Sequence, residues 1–510
     1  MPSLHALAIG LLACASSVLG ENSVPTAKTK NGTYYGTHAS KWDQDYFQRI
    51  PYAQPPGPTQ QVLGEYVSED CLTLNIFRSN NGTSASKLLP IVLYIHGGLF
   101  KQGSGRDPRY DMTSLLQVAV QNNQQFTGVT LNYRLSYWGF LYGQEVAEEG
   151  VANLGLKDQR LALRWISGNI KAFGGDPEKF TIWGQEAGAY SVGLQLLAYG
   201  GRDDGLFRGA VAQSGSPTLM WPSITAKEWQ PLYNKFVNAT NCTGSSDTLN
   251  CLRNFDASSL SDVSDSDITT LERVNPFVDG DFIRELGSKA LEAGNFVKVP
   301  LMMGTTQDEG AWSYYGVENI NTTSEFLDMV LYDGLSESAA KKIAQFYPDD
   351  PAQGIPSTLI GRPGNETGLG YQWERWAKHN VSVHTYVYDV LFHAKWWQYG
   401  AQEQDDIAFF FHNVTLSESL SPTDQADQKK TFEPLSYLLT SMLISFINTQ
   451  DPNNVPMNGT VSWPKYSVKD PKALVFDVNA TERCRVEKDN FRSEAIENWI
   501  DLFSTNEYPQ

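Results

Sequence analysis

Phe180-Thr181-Ile182-Trp183-Gly184-Gln185-Glu186-Ala187-Gly188-Ala189-Tyr190-Ser191 decides how this chain is read. Phe180 to Trp183 is a short apolar run and predicts a buried strand. Gly184 and Gly188 bracket a tight turn, and Ala187 to Ser191 opens a helix. Glu186 stands at the apex of that turn. Its carboxylate is expected at a helix N-terminus, where free backbone N–H groups favour negative charge.

The same alternation continues outward. Leu89 to Ile95 is a continuous apolar run ending at His96-Gly97-Gly98-Leu99-Phe100, a buried strand followed by a Gly-rich turn. Such a turn leaves backbone N–H groups near the site, as an oxyanion hole requires; the expected donors are Gly98, Leu99 and Ala187. Ser68 to Ile76, Thr127 to Tyr133, Val299 to Met303 and Val383 to Val390 read as further strands. Leu154 to Ile170, Pro434 to Asn448 and Phe491 to Phe503 read as helices, and residues 220–300 as more helical and loop-rich. Strands alternating with helices at this spacing predict a sheet covered on both faces. No internal repeat, low-complexity tract or linker divides the chain.

The chain has 510 residues, 41% of them hydrophobic, enough for a large core. Its formal net charge of −18 argues against nucleic acid and anionic membranes as partners. Leu4 to Leu19 is apolar and Val18-Leu19-Gly20 suits cleavage, so residues 1–20 read as a signal peptide. No later segment is long and apolar enough to span a bilayer. Sequons at Asn31, Asn81, Asn238, Asn241, Asn321, Asn365, Asn380, Asn413, Asn458 and Asn479 fit a secretory route. Cys14 leaves with the signal; Cys242 and Cys251 flank a Gly/Ser/Asp-rich loop and are expected to bridge it. Cys71 and Cys484 have no local partner, and a bond between them stays open.

Several motifs, in order, carry a resemblance. Ser68-Glu69-Asp70-Cys71-Leu72, His96-Gly97-Gly98, Asn132-Tyr133-Arg134-Leu135 and Asn153-Leu154-Gly155-Leu156-Lys157-Asp158-Gln159 resemble type-B carboxylesterases. So do Phe173-Gly174-Gly175-Asp176-Pro177, Gln213-Ser214-Gly215 and Asp308-Glu309-Gly310. This is the cholinesterase-like family, and the chain looks most like its secreted fungal members. The resemblance implies one α/β-hydrolase domain over residues 21–510: a central, mostly parallel sheet flanked by helices, with a Ser–Glu–His triad in a gorge-like pocket. Residues 180–191 then match the nucleophile elbow, whose motif is G-x-S-x-G.

Carried over position by position, the triad acid is Glu309. The nucleophile's place is taken by Glu186, and the histidine's by Glu403 in Gly400-Ala401-Gln402-Glu403-Gln404-Asp405-Asp406-Ile407. Leu99 replaces a small residue of the family's Gly-rich turn. The segment between Pro56 and Ser68 is shorter than usual and lacks the cysteine that pairs with the position of Cys71. The resemblance also implies an ion pair between Asp176 and Arg160. His96 reads as a structural turn histidine, and His393 either lines the gorge or packs beside Trp396 and Trp397.

A carboxylate attacking an acyl group would form a mixed anhydride, and a glutamate lacks imidazole's pKa, so serine-type ester hydrolysis is expected to be absent. Ser191 and Ser214 have ordinary structural readings. Three carboxylates in one pocket cannot all ionise cheaply, so at least one holds a proton. The backbone donors favour an ionised Glu186, leaving the proton between Glu309 and Glu403. An ionised base beside a protonated acid is an acid–base pair, suited to cyclisation, dehydration, isomerisation or lyase chemistry on a small organic molecule. The alternatives are a catalytically inactive binding module, which would take a protein or small-molecule partner, and ester hydrolysis by an unconventional route. Three carboxylates also suit a hard cation, but the implied fold holds none there; no metal or cofactor is expected.

Overall fold

The computed structural model describes residues 24–54, 70–80, 87–218, 225–255, 259–260, 275–309, 322–332, 336–346, 377–392, 400–414, 422–456, 461–490 and 493–504. The expected signal peptide, the short segment before Ser68 and His393 lie outside them.

Among the described residues, β1 (Thr26–Thr29) and β2 (Gly32–Tyr35) form a small antiparallel pair. The other strands are β3 (Thr37–Ala39), β4 (Gln44–Pro51), β5 (Thr73–Ser79), β6 (Leu89–Ile95), β7 (Thr127–Leu131), β8 (Gly175–Gln185), β9 (Gly209–Gln213), β10 (Leu301–Thr306), β11 (Val383–Tyr388), β12 (Lys472–Phe476) and β13 (Cys484–Lys488). They make one eleven-stranded sheet in the order β13-β12-β11-β10-β9-β8-β6-β7-β5-β4-β3. The centre, from β12 to β7, is parallel; the strands at both ends are antiparallel.

The apolar runs explain this placement. A parallel strand has helices on both faces and buries every side chain. In β6, Ile91, Leu93 and Ile95 enter the core on one face, while Val92 and Tyr94 enter the core on the other. Ile182 and Trp183 of β8 divide in the same way. The helices Leu154–Asn169 and Ala187–Gly201 pack on the first face. The long helix Pro422–Thr449 packs on the second, where Leu435, Leu439 and Leu443 are fully covered. Among the described residues no helix is long and apolar enough to cross a membrane.

The turn after β8 is built on glycine. A methyl group on Gly188 would lie 1.9 Å from the Ile95 carbonyl oxygen, and one on Gly184 2.3 Å from that of Gly188. These are backbone contacts between adjacent strands and the helix, so no side chain can swing aside. Gly188→Ala is expected to cost about 3 kcal/mol, the upper end of overpacking penalties, read as a lowered urea midpoint at unchanged slope.

One sequence expectation is corrected and one open pairing is answered. Arg160 pairs with Asp204 at 2.8 Å, not with Asp176, which pairs with Lys179 at 3.2 Å. Cys71 and Cys484 are both free and buried. Cys71 sits just before β5 and Cys484 opens β13, near opposite ends of the sheet and in separate cores, so no bond can join them. Cys242 and Cys251 are bonded as expected. Of the sequon asparagines among the described residues, Asn31, Asn238, Asn241, Asn380 and Asn479 are exposed.

Candidate active site

Glu186 links β8 to the helix Ala187–Gly201 with φ 50° and ψ −120°. A non-glycine residue in this conformation stores roughly 1–3 kcal/mol. It is held there from both sides: its N–H donates to Gln213 at 2.9 Å and its carbonyl accepts from Tyr190 at 2.8 Å.

The turn after β6 faces it. Gly98, Leu99 and Phe100 all have positive φ, at 111°, 58° and 59°. The N–H groups of Lys101 and Gln102 both donate to the Gly98 carbonyl at 3.0 Å, closing the turn. Its free donors point at one atom: Gly98 N–H and Leu99 N–H meet Glu186 Oε2 at 2.6 and 2.9 Å. The Ala187 N–H, at the start of the helix, also favours the charged form of this carboxylate. A methyl group on Gly97 would lie 2.8 Å from the same Oε2, so the carboxylate is seated flush against the turn. His96 behind it is buried, with Nδ1 2.8 Å from the Gly97 carbonyl and its ring stacked on Tyr133. Burial lowers its pKa to about 4, so it is a neutral turn histidine.

Glu309 follows β10, and its Oε1 accepts from Thr306 N–H at 3.0 Å. Glu403 lies on a turn closed by Gln402 N–H donating to Asp405 at 3.0 Å. These two loops are clasped. Asp308 N–H donates to the Ala401 carbonyl at 2.9 Å, and Ala401 N–H returns a bond to Asp308 Oδ2 at 3.0 Å. Gln185, one residue before the apex, donates through Nε2 to Glu403 Oε1 at 3.0 Å. The structure thus brings Glu186, Glu309 and Glu403 into one electrostatic neighbourhood, with Gly98, Leu99 and Ala187 as the donors around Glu186.

A fourth carboxylate, Asp406, was not singled out in the sequence. It is fully buried and accepts from Gln213 Nε2 at 2.9 Å and from Tyr386 at 2.7 Å. Gln213 is itself oriented by Trp183 Nε1 at 2.5 Å. The available signal was spacing: Asp406 stands three residues after Glu403 on the same turn, within its electrostatic reach.

Burial dominates the proton affinities. Desolvation pushes Glu309 up to about 7, against the Ser214 hydroxyl and the Thr306 N–H that favour its charge. Desolvation raises Glu403 well above the usual range, and the charges of Glu309, Glu186 and Asp406 raise it further. Asp406 is pushed up to about 6. Glu186 is also raised by burial, but only it is opposed by three backbone donors and by the nearby positive charge of Lys101. Of the set, Glu403 has the surroundings that most favour a proton, and Glu186 those best suited to an anion.

A cavity of about 300 Å³ lies apart from these groups, walled by Trp138, Leu141, Phe236, Leu252 and Phe255 among others; none of the four carboxylates lines it.

A mostly parallel sheet, a strained strand–turn–helix apex and a donor-rich turn beside it define an α/β-hydrolase. The crystal structure of Aspergillus niger EstA matches it with a TM-score of 0.80 over 95% of this chain and 99% of that one, at 25% identity. The chain belongs to the carboxylesterase family, whose model matches residues 57–499. A Botryotinia fuckeliana protein named "Secreted lipase 1" is 32% identical over 80% of this chain and 72% of its own. A Gibberella zeae "Secreted triacylglycerol lipase LIP1" is 31% identical over 68% of each chain. A Bacillus subtilis "Para-nitrobenzyl esterase" is 31% identical over 81% of this chain and 80% of its own.

Proposed function

We propose that this chain is a secretory-pathway carboxylesterase relative in which Glu186 and Glu403 stand in the places of the family's serine and histidine. On this reading it is a general acid–base catalyst acting on a small organic molecule, of cyclase, dehydratase, isomerase or lyase type, and not a serine esterase. The supporting observation is the seat of Glu186 Oε2, 2.6 and 2.9 Å from the Gly98 and Leu99 N–H groups. An ester carbonyl needs those donors to stabilise its tetrahedral intermediate, and here the protein's own carboxylate holds them. Glu186 then serves as the anionic base and Glu403, aided by Glu309, as the proton donor. A place in fungal secondary metabolism follows from the resemblance to secreted fungal members alone.

The same seat favours one second reading. A carboxylate that fills its own donor pocket closes that pocket, as a binding protein on a hydrolase fold would have it.

The test is metabolite profiling of a strain lacking the gene, complemented with wild type or Glu186→Gln. The glutamine keeps the shape and removes the charge. An intermediate that wild type clears and Glu186→Gln leaves standing supports catalysis by Glu186. Full rescue by Glu186→Gln, or an unchanged profile on deletion, removes the acid–base reading and leaves the binding protein.

A further inference from the structure

We propose that Glu186 is a nucleophile toward carbon: its Oε1 opens an epoxide to give an ester between Glu186 and the substrate, which water cleaves to a vicinal diol. This rests on the acid–base reading above and adds to it a substrate class and a covalent step.

The argument starts from which oxygen is held. Oε2 is fixed by the two N–H groups of the turn. Oε1 is the oxygen that these N–H groups do not hold, and so the one left to act on a ligand. Carboxylates are effective covalent nucleophiles at saturated carbon. The mixed-anhydride objection applies only to acyl substrates.

The second argument concerns where charge develops. When water attacks the carbonyl carbon of a Glu186 ester, the negative charge appears on Oε2. That atom already sits against the donors, which must lie within about 2.7–3.1 Å of a developing oxyanion to stabilise it. A donor pocket closed to a substrate carbonyl is thus correctly placed for an ester formed on the protein itself.

The leaving group selects the epoxide. In the first step the Oε1 lone pair forms the new C–O bond, the ring C–O bond breaks, and the departing oxygen takes its electron pair and a proton from the Glu403 carboxyl. The products are an alkyl ester on Glu186, a free hydroxyl and an ionised Glu403. In the second step Glu403 removes a proton from water as its oxygen attacks the ester carbon. The intermediate collapses, the departing alkoxide takes that proton, and the diol leaves. Glu186, now protonated, returns its proton to Glu403. The sum is epoxide plus water to diol. Ring strain drives the opening and one neutral carboxyl group assists it. Among saturated-carbon electrophiles, a halide would need no acid, whereas here the Glu403 carboxyl is held beside the apex by Gln185 Nε2 at 3.0 Å, from the residue just before Glu186.

The experiment is a single turnover of the purified full-length protein, in excess over styrene oxide or 1,2-epoxyoctane, in H₂¹⁸O. The expected first-turnover diol carries ¹⁶O in its new hydroxyl, and the peptide containing Glu186 gains 2 Da. In Glu403→Gln the ester is expected to form slowly and persist, its cleavage slowed about 10²–10⁴-fold by loss of the base, so that the peptide retains the substrate mass. Diol carrying ¹⁸O from the first turnover overturns the covalent step while leaving acid–base opening by water intact. Failure to open either epoxide overturns the substrate class, and metabolite profiling then judges the acid–base reading independently.

Discussion

The double variant Glu186→Ser/Glu403→His is expected to hydrolyse p-nitrophenyl acetate about 10³-fold faster than wild type, with each single variant within about tenfold of it. A serine at the strained apex would present its hydroxyl where the Glu186 side chain now leaves the backbone. Removing the carboxylate frees the Gly98, Leu99 and Ala187 N–H groups for an ester carbonyl. A histidine at 403 would sit beside Glu309, which Thr306 N–H already orients. Members of such a triad act as a unit, so either one alone is nearly useless and the gain is strongly non-additive. A small acetyl ester is the right probe because the Leu99 side chain remains. A double variant that melts with wild type yet gains nothing would show that positions 186 and 403 are not those of nucleophile and base.

Stability is expected to fall as pH rises from about 5 to 8, the reverse of most carboxylate effects. Glu309 is raised from 4.5 to about 7, Asp406 from 3.8 to about 6, and Glu403 well above 4.5. Between the unfolded and folded values the native state binds more protons than the unfolded chain, so unfolding free energy decreases with pH. The favourable contribution is complete below the unfolded values and is lost as each folded value is passed. Each excess proton is worth about 1.4 kcal/mol per pH unit. Urea midpoints at pH 5, 6, 7 and 8 measure the slope. Glu403→Gln and Glu309→Gln should each flatten it by up to one proton. A wild-type slope of zero or above, unaltered in both variants, would contradict a buried, mutually repelling set of carboxylates.

Much of the scaffold was legible because burial on two faces leaves an unbroken apolar signature. Leu89–Ile95 has the bounds its run predicts, and the Leu154 helix ends one residue before the expected Ile170. The strand expected from Ser68 begins only at Thr73. Just before it, Thr73 N–H bonds the Cys71 carbonyl at 2.7 Å, a local bond that takes this stretch out of the ladder, and Tyr52 N–H bonds the Leu72 carbonyl at 3.1 Å; Ser68 and Glu69 lie outside the described residues. Glu186, Glu309 and Glu403 could be placed because each lies in a short motif. Asp406 was less legible: spacing puts it beside Glu403, but its bonds come from Gln213 and Tyr386 on two strands far apart in sequence, with Trp183 bonding Gln213 from a third. Arg160 failed for the same reason. Several acidic residues lie within reach of an arginine, and only the turn after the Ala187 helix brings Asp204 to it.

The two sequestered thiols have a bearing on how the chain matures. Apart from Cys14, four cysteines permit three fully paired connectivities, and the native state is none of them. Only the pair nine residues apart is joined. Burial pushes the Cys71 and Cys484 thiols up to about 11, so neither supplies a thiolate for exchange once folded. The hazard is confined to the interval before the sheet closes, when all four are accessible to oxidant. The short loop closes at the lowest entropic cost and so has the advantage in that race. Oxidative refolding is therefore a contest between collapse of the sheet and misjoining. Cys71→Ala/Cys484→Ala should raise the yield of active protein from an oxidising compartment without altering the site.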